Sequence, residues 1–175
     1  MEKTIEQLQY PIGRFTMPKE VGHAEINLAI EKITFLPSQV SKEIMGSNED
    51  QLGTHYREGG WTIRQVVHHL ADSHMNAFIR FKLALTEDAP VIKPYEEALW
   101  AQQGDYHLAP EISLAILEGV HKRWVTLMQA MTEADWNKTF IHPQYNRVQK
   151  LSQTVMLYAW HGEHHLGHIR NAKSF

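Results

Sequence analysis

The amino-acid sequence predicts an all-α protein, a bundle of four helices with one long crossover loop. Two observations support this fold class: apolar residues recur at intervals of three and four in four separate segments, and β-prone stretches are confined to one short region. With 175 residues, 43% of them hydrophobic and 21% charged, the chain has the size and composition of one folded domain spanning residues 1–175.

The first two helices differ in how clearly the sequence marks them. The first is expected over about 19–45, and Pro37 should kink it or split it in two, because a proline inside a helix removes a backbone hydrogen bond. The second has the clearest start, since Thr62 and Gln65 have the spacing of a capping box. Its apolar seam keeps a strict spacing of three and four, and the helix should end near Thr86.

The connection between the second and third helices, residues 87–109, is long for a compact domain. Its extended residues can reach about 75 Å, whereas the second helix spans roughly 36 Å, so the loop can run the full length of the bundle. This length permits the second and third helices to run parallel. The order is then up-down-down-up, with the second and fourth helices antiparallel.

The remaining elements follow the same reasoning. A third helix fits residues 110–131, with proline in its first turn, and a fourth fits roughly residues 152–171. Residues 140–151 between them are expected to form a small hairpin or an irregular loop. The spacing predicts the following inward residues for the third helix: Ile112, Ile116, Val120, Trp124, Leu127 and Met131.

Histidine is unusually frequent. The chain holds twelve, and seven of them lie in two helical stretches, HHLADSH at 68–74 and HGEHHLGH at 161–168. Residues four apart lie on one face of a helix, so the fourth helix offers two pairs that can share an ion, His161/His165 and His164/His168. His165 lies on the apolar seam, which favours His161 and His165 as the inward pair and leaves the other pair on a flank.

A third metal ligand is expected from the second helix. If the second and fourth helices are antiparallel, His69 comes level with the inward pair, about 10 Å from one end of the bundle. His69 is preferred, but His68 and His74 compete with it, and the spacing alone leaves the choice open. The other five histidines are interpreted as core or surface residues unrelated to this site: His23, His55, His107, His121 and His142.

Three neutral imidazoles without cysteine suit one divalent ion, with zinc expected first and nickel second. Three protein ligands leave a position for water or substrate, and such an ion lowers the pKa of bound water to about 7 or activates an incoming thiolate. Asp72 and Glu163 are the nearby carboxylates. No residue stands out as a general base, and Glu163 is the candidate kept for that role.

Charge and motifs argue against several classes of protein. A net charge of −3 without a basic run disfavours sequence-independent nucleic-acid binding. The segment HGEHH lacks the spacing of the zinc-peptidase motif, because Glu163 follows His161 by two residues rather than one. No run of apolar residues is long enough for a membrane span, and residues 1–10 do not have the pattern of a secretory signal. These features lead us to expect a cytoplasmic protein.

Three motifs carry a resemblance to a known family: WTIRQVVHHLADSHMNAFIRFKLALTE, PYEEALW and YAWHGEHHLGHI, with YPIG near the start and YREGGW before the second helix. Together they resemble the DinB-like superfamily, in particular its YfiT branch, over nearly the whole chain. The resemblance implies an up-down-down-up bundle, often homodimeric, with one divalent ion held by three histidines. Matched motif to motif, those ligands are His69, His161 and His165.

The resemblance also implies an activity. It favours a metal-dependent hydrolase, and the alternative is transfer of a thiol such as bacillithiol to an electrophile. A non-catalytic module that binds a metal or a small molecule is the hypothesis from a different class. In both enzymatic cases the expected partner is a small molecule, and any thiol must arrive as a substrate because the chain has no cysteine.

Overall fold

The computed structural model describes residues 3–145 and 147–173, and four long helices dominate them. In chain order the helices and strands are α1 Ile5–Gln9, α2 His23–Ile44, α3 Glu49–Leu52, α4 Ile63–Thr86, α5 Glu97–Trp100, α6 Pro110–Gln129, α7 Glu133–Trp136, β1 Thr139–His142, β2 Arg147–Lys150 and α8 Leu151–Ala172. The long helices α2, α4, α6 and α8 lie where the sequence predicts them, with ends that differ by a few residues.

Contacts between α2 and α8 show that these two helices run parallel. Lys32 forms an ion pair with Glu163, and Glu43 forms one with Arg170 further along both helices. The close approach of the two helices depends on Gly162, since a Cβ atom there would lie 2.6 Å from the Leu36 side chain. The first and last helices of the bundle therefore point the same way.

Contacts of α4 give the directions of the other two helices. His68 contacts Ser113 and His74 contacts His121, so α4 and α6 are parallel. Arg80 contacts Tyr158, whereas His74, nearer the start of α4, contacts the later residue His161, so α4 and α8 are antiparallel. These directions confirm the up-down-down-up order.

The crossover loop between α4 and α6 is held by hydrogen bonds near both of its ends and returns the chain to the end of the bundle where α4 begins. Near its start, the Ile92 amide donates to the Ile141 carbonyl at 3.0 Å. Near its end, the Tyr106 hydroxyl donates to the Asp72 carboxylate at 2.6 Å. The sequence prediction of a crossover that spans the bundle is confirmed.

The start of α4 forms as its sequence predicts. The Gln65 amide donates to Thr62 Oγ1 at 3.2 Å, and the Thr62 amide donates back to Gln65 Oε1 at 3.0 Å, which completes the capping box. The predicted seam is buried at every position: Ile63, Val67, Leu70, His74, Ala77, Phe81 and Ala84.

Pro37 does not split the first helix, contrary to one of the two expectations. α2 runs without a break from His23 to Ile44. Proline has no N–H to donate to the Ile33 carbonyl four residues earlier, but that carbonyl accepts a hydrogen bond from His121 Nδ1 at 2.6 Å instead. The contact from α6 therefore satisfies the group that the proline leaves free.

The predicted inward face of α6 is wrong at its start. Ile112 and Ile116 are 48% and 42% exposed. The buried residues are instead Ser113, Leu117, His121, Trp124, Val125 and Met128, after the first-turn proline. Two polar residues occupy this face because both are hydrogen-bonded to histidines of α4, and apolar spacing gives no signal for them.

The segment between α6 and α8 forms the hairpin that was one of the two expectations. Strands β1 and β2 pair antiparallel, with Thr139 opposite Lys150 and His142 opposite Arg147. Asn146, in the turn of the predicted hairpin, lies outside the described residues. No helix among the described residues is long and apolar enough to cross a membrane.

The core divides into two apolar clusters with histidines between them. One cluster includes Ala77, Trp124 and Ala159, and the other includes Ala71, Leu117 and Leu166. On each of α4, α6 and α8, the chain between the two clusters carries buried or half-buried histidines, at positions 74, 121, 161, 164 and 165. The bundle thus holds a polar layer between its two apolar halves, and the candidate site lies in that layer.

Candidate metal centre

The three predicted ligands come together in the structure. One ring nitrogen from each of His69, His161 and His165 lies within 4.8 Å of the others. The Nε2 atoms of His69 and His161 are 3.3 Å apart. Two nitrogens bound to one tetrahedral zinc at about 2.0–2.1 Å are about 3.3 Å apart, so this spacing fits a shared ion. The side-chain geometry and the donor set both suit a divalent metal.

Burial keeps these rings neutral. Loss of hydration lowers the pKa of His69 to about 3, helped by the nearby rings of His164 and His168. Burial likewise lowers the pKa of His161 and of His165 well below the usual value. Since only a neutral imidazole has a lone pair for a metal, all three rings are ready to bind one at neutral pH.

A second histidine group adjoins the first and shares one member with it. Ring nitrogens of His164, His165 and His168 also lie within 4.8 Å of one another. The pair His164 and His168, predicted to lie on a flank of the helix, is buried, at 8% and 2% exposure. Tyr56 stacks on the His168 ring at 3.9 Å, and Tyr10 lies near His164. The loop before α4 and the chain after α1 cover this flank, which helix spacing does not predict.

The competing histidines of α4 point elsewhere. His68 lies 2.7 Å from the Ser113 hydroxyl and 3.1 Å from the Leu108 carbonyl, on the side of α6 and the crossover loop. His74 is fully buried behind the site, with its Nε2 3.2 Å from His161 Nδ1. Neither residue belongs to the group that His69 forms with the α8 histidines.

Two histidines that were interpreted as unrelated to the site do adjoin it. His121 is buried, and its Nε2 lies 2.8 Å from His74 Nδ1, so it connects through His74 to His161. His142, in β1, lines a cavity together with His161. Their sequence positions carry no signal for this, because both residues lie far along the chain from the clustered histidines.

Two cavities open onto the site, and His161 lines both. One, of about 410 Å³, is also lined by His69 and His165. The other, of about 470 Å³, is lined by polar groups that include Arg80 and Tyr158. Arg80 Nη1 donates to the Tyr158 hydroxyl at 3.2 Å, and no ion pair engages this guanidinium among residues 3–145 and 147–173.

Neither carboxylate that the sequence offered reaches the histidines. Glu163 forms an ion pair with Lys32 at 2.8 Å and lines neither cavity. Asp72 accepts the hydrogen bond of Tyr106 in the crossover loop. The carboxylate that does line both cavities is Glu97, at the start of α5. Sequence reasoning missed it, although PYEEALW, the motif that contains it, contributes to the family resemblance.

Glu97 has a raised pKa. Although the residue is exposed overall, partial loss of hydration against the cavity wall raises the pKa of its carboxyl, and the charge of Glu96 raises it further. A carboxyl with a raised pKa beside a metal site is a typical proton acceptor in hydrolytic enzymes.

Comparisons with known proteins agree with this architecture. A relative from Oceanobacillus iheyensis is 49% identical over 161 residues, which cover 92% of this chain and 93% of that protein. One from Bacillus cereus is 48% identical over 169 residues, 97% of each chain. Both proteins are provisionally named metal-dependent hydrolases.

Solved structures show the same fold. YfiT from Bacillus subtilis, described as a probable metal-dependent hydrolase with an unusual four-helix bundle topology, matches with a TM-score of 0.93 and 40% identity over 96% of this chain and 97% of that one. A mycothiol-dependent maleylpyruvate isomerase matches with a TM-score of 0.60 and 18% identity over 79% of this chain and 60% of that one, which shows the fold alone. The model of the DinB superfamily matches residues 37–169. The chain therefore belongs to the DinB superfamily.

Proposed function

We propose that the chain is a metal-dependent hydrolase in which His69, His161 and His165 hold one divalent ion. The observation that carries the proposal is the convergence of three neutral imidazoles at the edge of a cavity. Three nitrogen ligands with no thiolate suit zinc first and nickel second. A divalent ion bound there would supply Lewis-acid activation of water or of a substrate oxygen.

Glu97 is the residue we propose as general base. It lines both cavities that meet at His161, so it faces the same space as the open side of the histidine group. Its raised pKa brings the carboxyl closer to the working pH, where a base accepts a proton most effectively. It lies in α5, within the crossover loop, and not on the helices that carry the three histidines.

The cavity beside Arg80 is the proposed substrate pocket. Its volume of about 470 Å³ suits a small molecule. The Arg80 guanidinium donates to Tyr158 through one nitrogen, which leaves further N–H groups for an acidic group of the substrate. We therefore propose a polar small-molecule substrate with an anionic group directed at Arg80.

A second candidate function is transfer of a thiol to an electrophile. Two separate cavities meet at His161. A transfer reaction needs room for two organic substrates, whereas hydrolysis needs room for one substrate and a water molecule, so the second cavity favours transfer. The thiol would be a small cosubstrate, since the chain has no cysteine. Separately, we propose that the chain forms a homodimer, and sedimentation analysis would test this.

The test compares chelator-treated and zinc-loaded protein on ester and amide substrates, and on a thiol with an electrophile. Hydrolysis that requires zinc and no thiol supports the first function, and turnover only with the thiol supports the second. Glu97→Gln should lower kcat about 10²–10⁴-fold with zinc content unchanged. The neighbouring Glu96→Gln is the matched control and should stay close to the original rate. Zinc binding without turnover in either assay would overturn both enzymatic proposals.

A further inference from the structure

A row of three buried or half-buried histidines extends from the centre of the bundle to the candidate metal centre. His121 Nδ1 lies 2.6 Å from the Ile33 carbonyl, and His121 Nε2 lies 2.8 Å from His74 Nδ1. His74 Nε2 in turn lies 3.2 Å from His161 Nδ1. His161 then has one nitrogen left, Nε2, which faces His69. Each ring in this row uses both of its nitrogens.

The carbonyl at the far end fixes the direction of every hydrogen bond in the row. A carbonyl oxygen only accepts, so His121 carries its hydrogen on Nδ1 and, as a neutral ring, has a lone pair on Nε2. That lone pair accepts from His74 Nδ1–H, and His74 Nε2 accepts from His161 Nδ1–H. His161 is therefore left with its lone pair on Nε2, the atom that faces His69.

Pro37 is the reason that this carbonyl is available. In a helix without proline, the Ile33 carbonyl would accept a hydrogen bond from the amide of residue 37. Proline has no amide hydrogen, so it cannot donate this bond. The proline inside α2 thus leaves an acceptor in the buried interior, where His121 of α6 donates to it.

A shorter row fixes the other α8 ligand in the same way. His168 Nε2 lies 3.1 Å from the Gln9 carbonyl, so it donates to that oxygen. The lone pair of His168 is then on Nδ1, which lies 3.3 Å from His165 Nδ1. His165 donates from Nδ1 and keeps its own lone pair on Nε2. Stacking on Tyr56 holds the His168 ring in place.

We propose that His121, His74 and His168 are positioning residues. They form two hydrogen-bond chains, each ending on a backbone carbonyl, that hold His161 and His165 in the Nδ1–H tautomer and present both Nε2 lone pairs to the divalent ion. The proposal rests on the metal site of the proposed function. It also assigns different roles to the two histidine groups. Both nitrogens of His168 are engaged in hydrogen bonds, so His168 orients His165 and does not bind an ion itself.

The first test reads the tautomers directly in metal-free protein, by long-range proton–nitrogen correlation spectroscopy of the imidazole rings at neutral pH. His74, His121, His161 and His165 should show the Nδ1–H form, and His168 the Nε2–H form. An Nε2–H form at His161 or His165 would overturn the proposal. This measurement needs no bound metal, so it decides the chains even if the proposed function fails.

The second test measures zinc affinity by competition with a chelator. His121→Phe keeps a ring of similar shape but removes the acceptor for His74, and it should weaken zinc binding about 10–100-fold. His121→Gln restores an acceptor oxygen and should recover most of that loss. His68→Phe, which removes a buried histidine outside both chains, is the matched control and should bind zinc as the original does.

The two tests give distinct outcomes. A folded His121→Phe protein with unchanged zinc affinity would overturn the proposal. Binding lost on His168 replacement but retained on His69 replacement would show that the second histidine group holds the ion, which also overturns it. No zinc binding by the original chain would overturn the proposed function, while the tautomers still report on the chains.

Discussion

Acidification should unfold the metal-free protein well above the pH at which its carboxylates become protonated. Burial lowers the pKa of His121 and of His168 to about 4, and that of His69 and of His164 to about 3. In the unfolded chain a histidine has a pKa of about 6.5. Between these values the unfolded state binds more protons than the folded state, so stability falls as the pH decreases below about 6.5.

The size of the effect follows from these values. For one histidine with a pKa of about 6.5 unfolded and about 4 folded, a change from pH 7 to pH 5 lowers the free energy of unfolding by about 2 kcal/mol. The four rings together lower the free energy of unfolding by about 7–8 kcal/mol, which is comparable with the total stability of about 5–15 kcal/mol of a typical domain. Burial lowers the pKa of His74, His161 and His165 well below 6.5, so they add to the loss.

The assay is urea unfolding of chelator-treated protein at several pH values, followed by circular dichroism. The urea midpoint should fall steeply between pH 6.5 and pH 5 and change little above pH 7. His121→Phe should show a shallower fall, because one buried titrating ring is gone. Equal midpoints at pH 7 and pH 5 would refute the reasoning.

Two further predictions concern the metal and the helix packing. Zinc at 100 times its dissociation constant should raise the free energy of unfolding by about 2.7 kcal/mol, as measured by thermal unfolding. His69→Ala should remove this gain, and an equal gain in both proteins would contradict the ligand assignment. Gly162→Ala should lower stability by about 1–2 kcal/mol, because its Cβ atom would lie 2.6 Å from Leu36 and overpacking outweighs the gain in helix propensity. Gly119→Ala, on an open helix surface, should instead raise stability by up to about 1 kcal/mol in the same urea titration. If both substitutions lowered stability, the loss at Gly162 could not be assigned to its contact with Leu36.

The helices of this fold could be predicted because local signals specify them. The capping box at Thr62 and Gln65 and the buried seam of α4 are both confirmed. The α6 face was predicted wrongly at its start because Ser113 and His121 are buried through hydrogen bonds to α4, and hydrophobic spacing carries no record of such partners. Pro37 was expected to kink or split α2, but α2 is continuous. The carbonyl that Pro37 leaves without its helical donor accepts a hydrogen bond from His121, 84 positions later in the chain.

The candidate site divides in the same way. The α8 pair could be predicted from helix spacing, and the family resemblance selected His69, because both depend on residues close together in the sequence. His121, His142 and Glu97 were missed because three-dimensional packing of α6, the hairpin and the crossover loop brings them to the site. The burial of His168 depends on Tyr56 and Gln9, which lie far from it along the chain.

The central claim is that one divalent ion lies between His69, His161 and His165. The most direct measurement is an anomalous difference map at the zinc absorption edge, from crystals of zinc-loaded protein. One peak per chain is expected, about 2.0–2.1 Å from a ring nitrogen of each of the three residues. In His161 and His165 that nitrogen should be Nε2. A peak among His164, His165 and His168, or no peak in crystals grown with excess zinc, would contradict the account.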